Sequence, residues 1–129
     1  MFNIRILLDV EHPQIMLPAK HRLRKSSEIE RVWKRGRSFF SGEYHVKALQ
    51  NRLPHSRFAV VVGTSVSKRA VKRNRLKRRT REILRKHLSH IVIGGDFVVT
   101  LKKSALDADF AQLETALLAA FNKAGALRS

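Results

Sequence analysis

The chain of 129 residues is long enough for one compact domain and short for two, and its hydrophobic content of 43% argues against wholesale disorder. Lys and Arg total 27 against 10 Asp and Glu, a formal net charge of +17 that favours a polyanionic partner, nucleic acid before an anionic membrane surface. The absence of cysteine excludes disulfides, thiolate zinc sites and cysteine nucleophiles.

The first 18 residues differ from the rest of the chain in charge and composition. Acidic and basic residues nearly balance there, and two prolines interrupt the segment. The apolar run at 6–8 is too short for a signal peptide or a membrane span. We therefore predict a loose N-terminal extension over 1–18 and a single nucleic-acid-binding domain over 19–125, in a cytoplasmic protein without membrane association. Met16 is an alternative start of the chain.

A short helix is the first regular element that the sequence predicts. Ile29, Val32 and Trp33 are spaced i, i+3, i+4 and form one apolar stripe, and Gly36 is a typical helix terminator. Two serines and two glutamates at the start of this segment favour a first helical turn. The helix would therefore lie between about Ser26 and Gly36.

Three strands are predicted from their hydrophobic patterns. Residues 44–49 alternate polar and apolar side chains, whereas 58–62 and 97–101 are mainly continuous apolar runs, which are typical of strands covered on both faces. The register around Tyr44 and Lys47 is open by one residue, and a shift by one would exchange the two faces of that strand.

Two longer helices complete the pattern. One spans about 67–87, between the second and third strands. The other begins at Asp107 or Asp109 and ends at Gly125. Its apolar residues at helical spacing are Phe110, Leu113, Leu117, Leu118 and Phe121. The predicted order is α-β-β-α-β-α, which places the chain in the α+β class.

The helix at 67–87 is strongly basic. Eleven of the residues at 68–86 are Lys or Arg, and Glu82 is the single acid among them. At about 100° per residue, an apolar stripe forms on one side of this helix and a basic ridge on the other. The stripe comprises Leu76, Thr80, Ile83 and Leu84, and the ridge comprises Asn74, Arg78, Arg81 and Arg85, flanked by Arg73 and Lys77. A solvated face would normally mix charges of both signs, so the ridge favours a polyanionic partner.

The stretch 68–82, with an Arg-Asn-Arg core at 73–75, closely resembles the signature helix of the bacterial ribonuclease P protein family. The resemblance extends from about 22 to 121, with the same order of elements. It implies a compact α–β sandwich in which the basic helix forms a left-handed β-α-β crossover, an exception to the general right-handed rule.

The resemblance also implies two sets of RNA contacts. Those to the catalytic RNA would be made by Lys68, Arg69, Arg73, Asn74, Arg75, Lys77, Arg78 and Arg81. A cleft between this helix and the sheet would hold the single-stranded 5′ leader of precursor tRNA, lined by Ile29, Trp33, Tyr44 and Lys47. The first helix of the family often carries two aromatic residues at the positions of Ile29 and Trp33, so only Trp33 can stack on a base here. Phe39 and Phe40 are further aromatic candidates, for which core packing is the more common role.

A protein subunit of ribonuclease P would be an accessory to an RNA that carries the catalysis. It would assist Mg²⁺-dependent endonucleolytic removal of the leader, with one protein per RNA, the Mg²⁺ held chiefly by the RNA, and no protein-bound cofactor. Consistent with that role, the acidic residues are scattered along the chain and the six histidines lack metal-ligand spacing. His87 and His90 straddle a helix end, and we expect no acidic partner nearby.

Two other classes of protein fit parts of the pattern. A structural ribosomal protein would have a similar size and composition, although such proteins frequently carry their basic residues in long tails. A DNA-binding module would be equally basic, but strands flank the basic helix here and no helix-turn-helix pair is evident. The RNA that copurifies with the protein distinguishes these classes, and the sequence leaves the oligomeric state open.

Overall fold

The computed structural model describes residues 17–128, which form three α-helices and a four-stranded sheet. The helices are α1 (Ser26–Arg35), α2 (Ala70–Lys86) and α3 (Phe110–Lys123). The strands are β1 (Arg37–Ser41), β2 (Tyr44–Gln50), β3 (Arg57–Val61) and β4 (Gly95–Leu101). They are arranged in the order β1-β2-β4-β3, in which β3 and β4 are parallel and the other neighbours are antiparallel. The predicted α+β class is confirmed.

Helices cover the two faces of the sheet unequally. Successive side chains of a strand point to opposite faces, so each strand contributes to both. On one face, α2 and α3 pack on large apolar side chains that include Phe58, Phe97 and Val99. On the other face, α1 packs on a smaller cluster around Val32 and Val98. Because α2 joins the parallel neighbours β3 and β4, it forms a β-α-β crossover, whose left-handed sense stays a prediction.

β1 is a strand that the sequence pattern does not predict. Its residues lack clear alternation of polar and apolar side chains, and it lies at the edge of the sheet, paired with β2. A tight turn connects the two strands, with Gly42 at a φ of +50° that favours glycine. Strand formation in β1 therefore depends on pairing with β2 rather than on its own pattern.

A single residue, Gly36, separates α1 from β1. A Cβ atom at this position would lie 2.5 Å from the carbonyl oxygen of Val32 and 3.0 Å from that of Ala48. The Gly36 backbone N–H also donates a hydrogen bond to the Val32 carbonyl oxygen at 2.7 Å. The close approach of two backbone segments thus requires glycine, and the helix passes into the strand without an intervening loop.

The predicted N-terminal boundary of the domain needs correction. Leu17, which the prediction assigns to the extension, is buried in the main core. Its carbonyl oxygen accepts a hydrogen bond from Arg22 Nε at 2.7 Å. The domain therefore begins no later than Leu17, and residues 1–16 of the predicted extension, with the alternative start at Met16, lie outside the described residues.

The C-terminal boundary at 125 needs correction as well. α3 begins after Asp109, one of its two predicted starts, whose carboxylate accepts a hydrogen bond in a capping box. It ends before Gly125, as predicted, where φ is +70°. Beyond that glycine, however, Ala126 is buried in the core and Leu127 forms a β-bridge with Ile91. The domain therefore continues to at least 128.

β3 differs from the strand predicted at 58–62, which was expected to be covered on both faces. It is an edge strand of the sheet, and Val61 is 38% exposed. Its alternate residues Phe58 and Val60 point into the main core, but α1 packs on β2 and β4 and leaves the outer end of β3 uncovered. A continuous apolar run does not reveal a strand's position in the sheet.

Candidate nucleic-acid interface

The predicted apolar stripe of the basic helix is confirmed. Leu76, Thr80, Ile83 and Leu84 are all buried on one side of α2. Thr80 is the polar member, and its hydroxyl forms a hydrogen bond with the Tyr44 hydroxyl at 2.8 Å. The stripe fixes which side of α2 faces the sheet and which side is left to solvent.

The exposed cations of α2 occupy a different arc from the predicted ridge. Within that ridge Arg78 is exposed, whereas Asn74, Arg81 and Arg85 are half-buried. At about 100° per residue, the exposed side is centred near Arg75, about 125° from the middle of the apolar stripe. We call its basic members the exposed arc: Lys72, Arg75, Arg78 and Lys86. Periodicity locates an apolar stripe, but neighbouring segments decide how far each flank is covered.

A second row of cations lies along one flank of α2. Arg73, Lys77 and Arg81 are half-buried and follow each other at i, i+4 and i+8, so their side chains are neighbours. Burial of the Lys77 ammonium, together with the charges of Arg81 and Arg73, lowers the pKa of Lys77. Arg73 Nη1 donates a hydrogen bond to the Ser67 carbonyl oxygen at 2.9 Å. One turn further along, Arg85 Nε is buried without a hydrogen-bond partner. An anion bound on this flank would reduce the repulsion among these neighbouring cations.

Lys68 and Arg69 lie immediately before α2, and both are exposed. Arg69 occupies the N-cap position, and no side chain caps the first turn of the helix. The positive end of the helix therefore lies beside exposed basic residues, an arrangement that attracts anions. All eight residues predicted to contact the catalytic RNA are thus brought together on α2 and its N-terminal approach.

Trp33 and Lys47 lie together on the face of the sheet that carries α1. Trp33 is 44% exposed, and Lys47 Nζ lies 5.3 Å from its ring centroid. The same ammonium donates a hydrogen bond to the Trp33 carbonyl oxygen at 2.6 Å. Ile29, one helical turn earlier, is half-buried against the smaller core cluster. An exposed ring beside an ammonium can bind a single-stranded nucleic acid by stacking and by charge.

Tyr44 does not belong to this surface, and its assignment to the leader cleft is wrong. The side chain is fully buried on the opposite face of the sheet, beneath α2. Desolvation raises the pKa of Tyr44 to about 12, although the hydrogen bond with Thr80 acts in the other direction. The physical reason is the strand period of two: Tyr44 and Lys47 are three residues apart and must point to opposite faces.

The predicted position of the cleft, between the basic helix and the sheet, is also wrong. Core side chains fill that space, including Leu76, Ile83 and Tyr44. The predicted cleft residues that are accessible, Trp33 and Lys47, lie instead on the face of α1.

Sequence reasoning missed two residues near Trp33, namely His45 and Lys102, and it gave core packing as the more common role for Phe40, which is exposed here. Phe40 is 51% exposed and is the cross-strand partner of His45 in the β1–β2 pair. Lys102 follows β4, and its Nζ lies 5.3 Å from the centroid of the Phe40 ring. Phe39, by contrast, is half-buried and points to the other face. Recognising β1 as a strand would have provided the signal, because the hairpin register brings Phe40 and His45 together.

A network of charged side chains holds α1 against the sheet. Asp96 of β4 is fully buried and accepts hydrogen bonds from Arg57 Nε at 2.9 Å and Arg57 Nη2 at 2.7 Å. Arg57 also donates from Nη1 to Glu28 of α1 at 3.2 Å, and Asn51 Nδ2 donates to Asp96 at 2.7 Å. The bonds to Asp96, and then to Glu28, raise the pKa of Arg57. The network couples the first turn of α1 to β3 and β4.

His87 has an acidic partner, contrary to the prediction. Glu114 of α3 accepts a hydrogen bond from Lys86 Nζ at 2.9 Å, and its Oε2 lies 2.7 Å from His87 Nε2. The bonds from Lys86 and His87 lower the pKa of Glu114. Within 17–128, no three or more His, Asp or Glu side chains are grouped to hold a metal ion. None of the helices in this range is sufficiently long and apolar to cross a membrane.

Comparisons with known proteins agree on one family. A family model described as Ribonuclease P matches residues 17–125. The ribonuclease P protein component of Finegoldia magna is 37% identical over 106 residues, which cover 80% of this chain and 89% of that protein. The corresponding protein of Xylella fastidiosa is 35% identical over 113 residues, covering 85% of this chain and 80% of its own length.

Solved structures give the same result. An RNase P protein of Staphylococcus aureus matches with a TM-score of 0.77 and 28% identity, covering 84% of this chain and 98% of that chain. The RNase P protein of Thermotoga maritima matches with a TM-score of 0.73 and 30% identity, covering 79% of this chain and 96% of that chain. Sequence, fold and the basic helix agree, and the chain belongs to the ribonuclease P protein family.

Proposed function

We propose that the chain is an accessory RNA-binding subunit of ribonuclease P. It binds the catalytic RNA through α2 and the 5′ leader of precursor tRNA on the face that carries α1. It thereby assists the Mg²⁺-dependent endonucleolytic removal of the leader, which gives the mature 5′ end of the tRNA. The observation that carries the proposal is the single-sign charge of α2, where Glu82 is the one acid among the basic residues.

The charge of α2 is unfavourable for the protein by itself. Like charges at i, i+4 destabilise a helix by a few tenths of a kcal/mol per pair, roughly, and the flank of Arg73, Lys77 and Arg81 contains two such pairs. RNA phosphates remove this repulsion, and the planar donor fork of arginine can bind two phosphate oxygens at once. The release of counterions from the RNA adds a favourable, salt-dependent term.

The position of the two surfaces supports simultaneous binding of two RNA segments. α2 packs on one face of the sheet, and the exposed ring of Trp33 lies with α1 on the other face. A single domain can therefore contact the catalytic RNA and the leader without competition between them. Its net charge of +17 also reduces the repulsion between the two RNAs.

Three acidic residues near these surfaces have structural partners. Asp96 and Glu28 form ion pairs with Arg57, and Glu114 with Lys86. Because these carboxylates are already paired, the proposal assigns the Mg²⁺ ions for phosphodiester hydrolysis to the RNA. The chain then supplies positioning and charge, with one protein per RNA.

Reconstitution tests the proposal directly. The protein is combined with a bacterial ribonuclease P RNA and a precursor tRNA at low Mg²⁺, and cleavage is compared with that by the RNA alone. We expect cleavage to rise well above the rate of the RNA alone, and none with the protein alone. Robust precursor-specific hydrolysis by RNA-free protein would contradict the accessory role. Copurification of intact ribosomes, rather than one structured RNA, would favour a ribosomal protein.

Variants of the exposed arc test the role of α2. We expect Arg75→Ala and Arg78→Ala each to weaken binding of the catalytic RNA while leaving thermal stability nearly unchanged, because both side chains are exposed. Each lost phosphate contact should lower the slope of log affinity against log salt by about 0.7–0.9. Lys20→Ala, an exposed cation outside α2, is the matched control. Parental binding by both arginine variants at every salt concentration would show that the exposed arc is only solvated.

A further inference from the structure

Three aromatic rings lie next to one another where α1 meets the β1–β2 pair, and two of them are stacked. The rings of Phe40 and His45 are nearly parallel, with centroids 4.2 Å apart and planes inclined by 14°. The His45 centroid lies 5.3 Å from that of Trp33, at an angle of 43°. Phe40 and His45 are direct cross-strand partners, so the backbone register holds their side chains next to each other.

Ammonium groups lie at both ends of this group of rings. Lys102 Nζ is 5.3 Å from the Phe40 centroid, and Lys47 Nζ is 5.3 Å from the Trp33 centroid. The three rings together with Lys47 and Lys102 are called the ring platform below. Its composition, partly exposed aromatic rings beside cations, is the one by which proteins hold single-stranded nucleic acid.

Core packing does not account for the ring platform. Phe40 and Trp33 are each about half exposed, whereas the smaller core cluster beneath α1 is built from Leu23, Val32, Ala59 and Val98. An isolated exposed aromatic residue is common in proteins, but here two are joined into one surface by His45, which stacks on Phe40 and contacts Trp33 at a tilt.

We infer that Phe40, His45 and Lys102 form a further single-stranded RNA-binding site that continues from Trp33 onto the β1–β2 pair. Unpaired bases stack on the rings, and Lys102 and Lys47 bind the phosphates. The inference rests on the proposed function, because the strand bound is the 5′ leader. Every base has a stacking face, so the site tolerates many leader sequences.

Protonation of His45 makes binding at this site depend on pH. Burial, followed by the charges of Lys47 and Lys102, lowers the pKa of His45, so the ring is neutral in the free protein at neutral pH. Its other neighbours carry no charge: Nε2 lies 3.1 Å from Ser38 Oγ on β1, Thr100 is its partner on β4, and Trp33 approaches from α1. A nearby phosphate favours the imidazolium and raises the pKa. The complex then binds more protons than the free protein. Affinity for the leader therefore increases as the pH falls from the pKa of His45 in the complex to its pKa in the free protein.

Leader-dependent affinity is the quantity that tests this site. Holoenzyme reconstituted with parent or variant protein is titrated with precursor tRNA and with mature tRNA, which lacks the leader, and the ratio of the two affinities is measured. We expect Phe40→Ala to reduce this ratio about fivefold or more, and His45→Ala and Lys102→Gln to reduce it less, with no change for mature tRNA. Ile93→Ala, at an exposed apolar residue away from the rings, and His90→Ala are controls that keep the parental ratio.

The outcomes separate the site from the function on which it rests. If Trp33→Ala reduces the ratio while Phe40→Ala, His45→Ala and Lys102→Gln keep it, the leader surface ends at Trp33 and the further site is overturned. If the parent itself binds precursor and mature tRNA equally, the leader part of the proposed function fails. An equal loss for both RNAs would place the rings against the catalytic RNA or the tRNA body, and would also overturn the site.

A pH series tests the histidine separately. The leader-dependent ratio of the parent should be about fivefold higher at pH 5.5 than at pH 8, the scale of one close charge interaction in a solvated site. His45→Phe keeps an aromatic ring in the stack but cannot titrate, so this increase should disappear in that variant. His90→Phe should retain it. An undiminished increase in His45→Phe would remove His45 from the explanation.

Discussion

The face of the sheet under α2 and α3 differs from the face under α1 in how its helices are held. α2 and α3 bury a large apolar cluster, in which Phe58, Phe97 and Phe121 contact one another. α1 buries a small cluster and depends in addition on the Arg57–Asp96 network. The well-packed face leaves only the outer side of α2 for RNA. The thinly covered face leaves aromatic rings exposed on the sheet itself.

The largest expected effect is on the face of α1, from Asp96→Asn. This change takes the buried carboxylate away from the Arg57 guanidinium, which keeps only Glu28, and breaking a buried ion pair typically costs about 3–5 kcal/mol. Urea unfolding should show this loss, and the leader-dependent ratio should fall as well, because α1 loses its tie to β4. Glu30→Gln, which removes the exposed pair with Lys34, should change stability by less than about 1 kcal/mol. If Asp96→Asn were as stable as Glu30→Gln, the small apolar cluster alone would hold α1.

On the other face, Leu76→Ala should lower the free energy of unfolding by about 2–5 kcal/mol, because it opens a cavity under α2. RNA binding should be lost only to the extent that the fold is lost. Val71→Ala lies on the same helix with its side chain exposed, and should stay within about 0.5 kcal/mol of the parent. A stable Leu76→Ala protein with weakened RNA binding would contradict this division between buried stripe and exposed arc.

Tyr44→Phe tests whether Tyr44 contributes to stability alone or also to binding of the leader. The change removes a hydroxyl that pairs with Thr80 and leaves the buried Thr80 oxygen unsatisfied, at a cost of about 1–3 kcal/mol. Leader-dependent affinity should be unchanged, because the ring points away from Trp33. Chemical denaturation and the affinity ratio measure the two effects on one sample. A normal fold with reduced leader affinity would return Tyr44 to the leader surface.

The smallest expected effect concerns Glu114, which joins α3 to the end of α2. Glu114→Gln should cost about 0.5–1 kcal/mol at pH 7, the usual range for a partly exposed ion pair. The pKa of Glu114 is lowered in the folded protein, so its contribution is complete above the unfolded value of about 4.3 and is lost as the pH falls below it. Unfolding curves of parent and variant should therefore converge in acid. A constant difference at all pH values would show that the charge of Glu114 is not responsible.

The parts of the molecule that the sequence predicted correctly are local ones. The buried stripe of α2 repeats at 3.6 residues within one long helix, so its four members could be named from spacing. The choice between Asp107 and Asp109 was left open because both are good cap residues, and the structure selects the second.

The parts that the sequence missed depend on residues far apart in the chain. β1 is a strand because β2 pairs with it, and its stack of Phe40 on His45 follows from that register. The Arg57–Asp96 network joins residues on three elements, which no local pattern reports. The error at Tyr44 was different in kind, because the strand period of two already separated it from Lys47.

The direct passage from α1 into β1 at Gly36 has a consequence for the entropy of binding. With no loop between them, the helix that carries Trp33 and the strand that carries Phe40 are joined by one closely packed residue, which limits how far their rings can separate. The conformational freedom of these side chains is restricted before any RNA arrives. Binding therefore loses little entropy on the protein's side, and most of the ordering cost falls on the flexible leader.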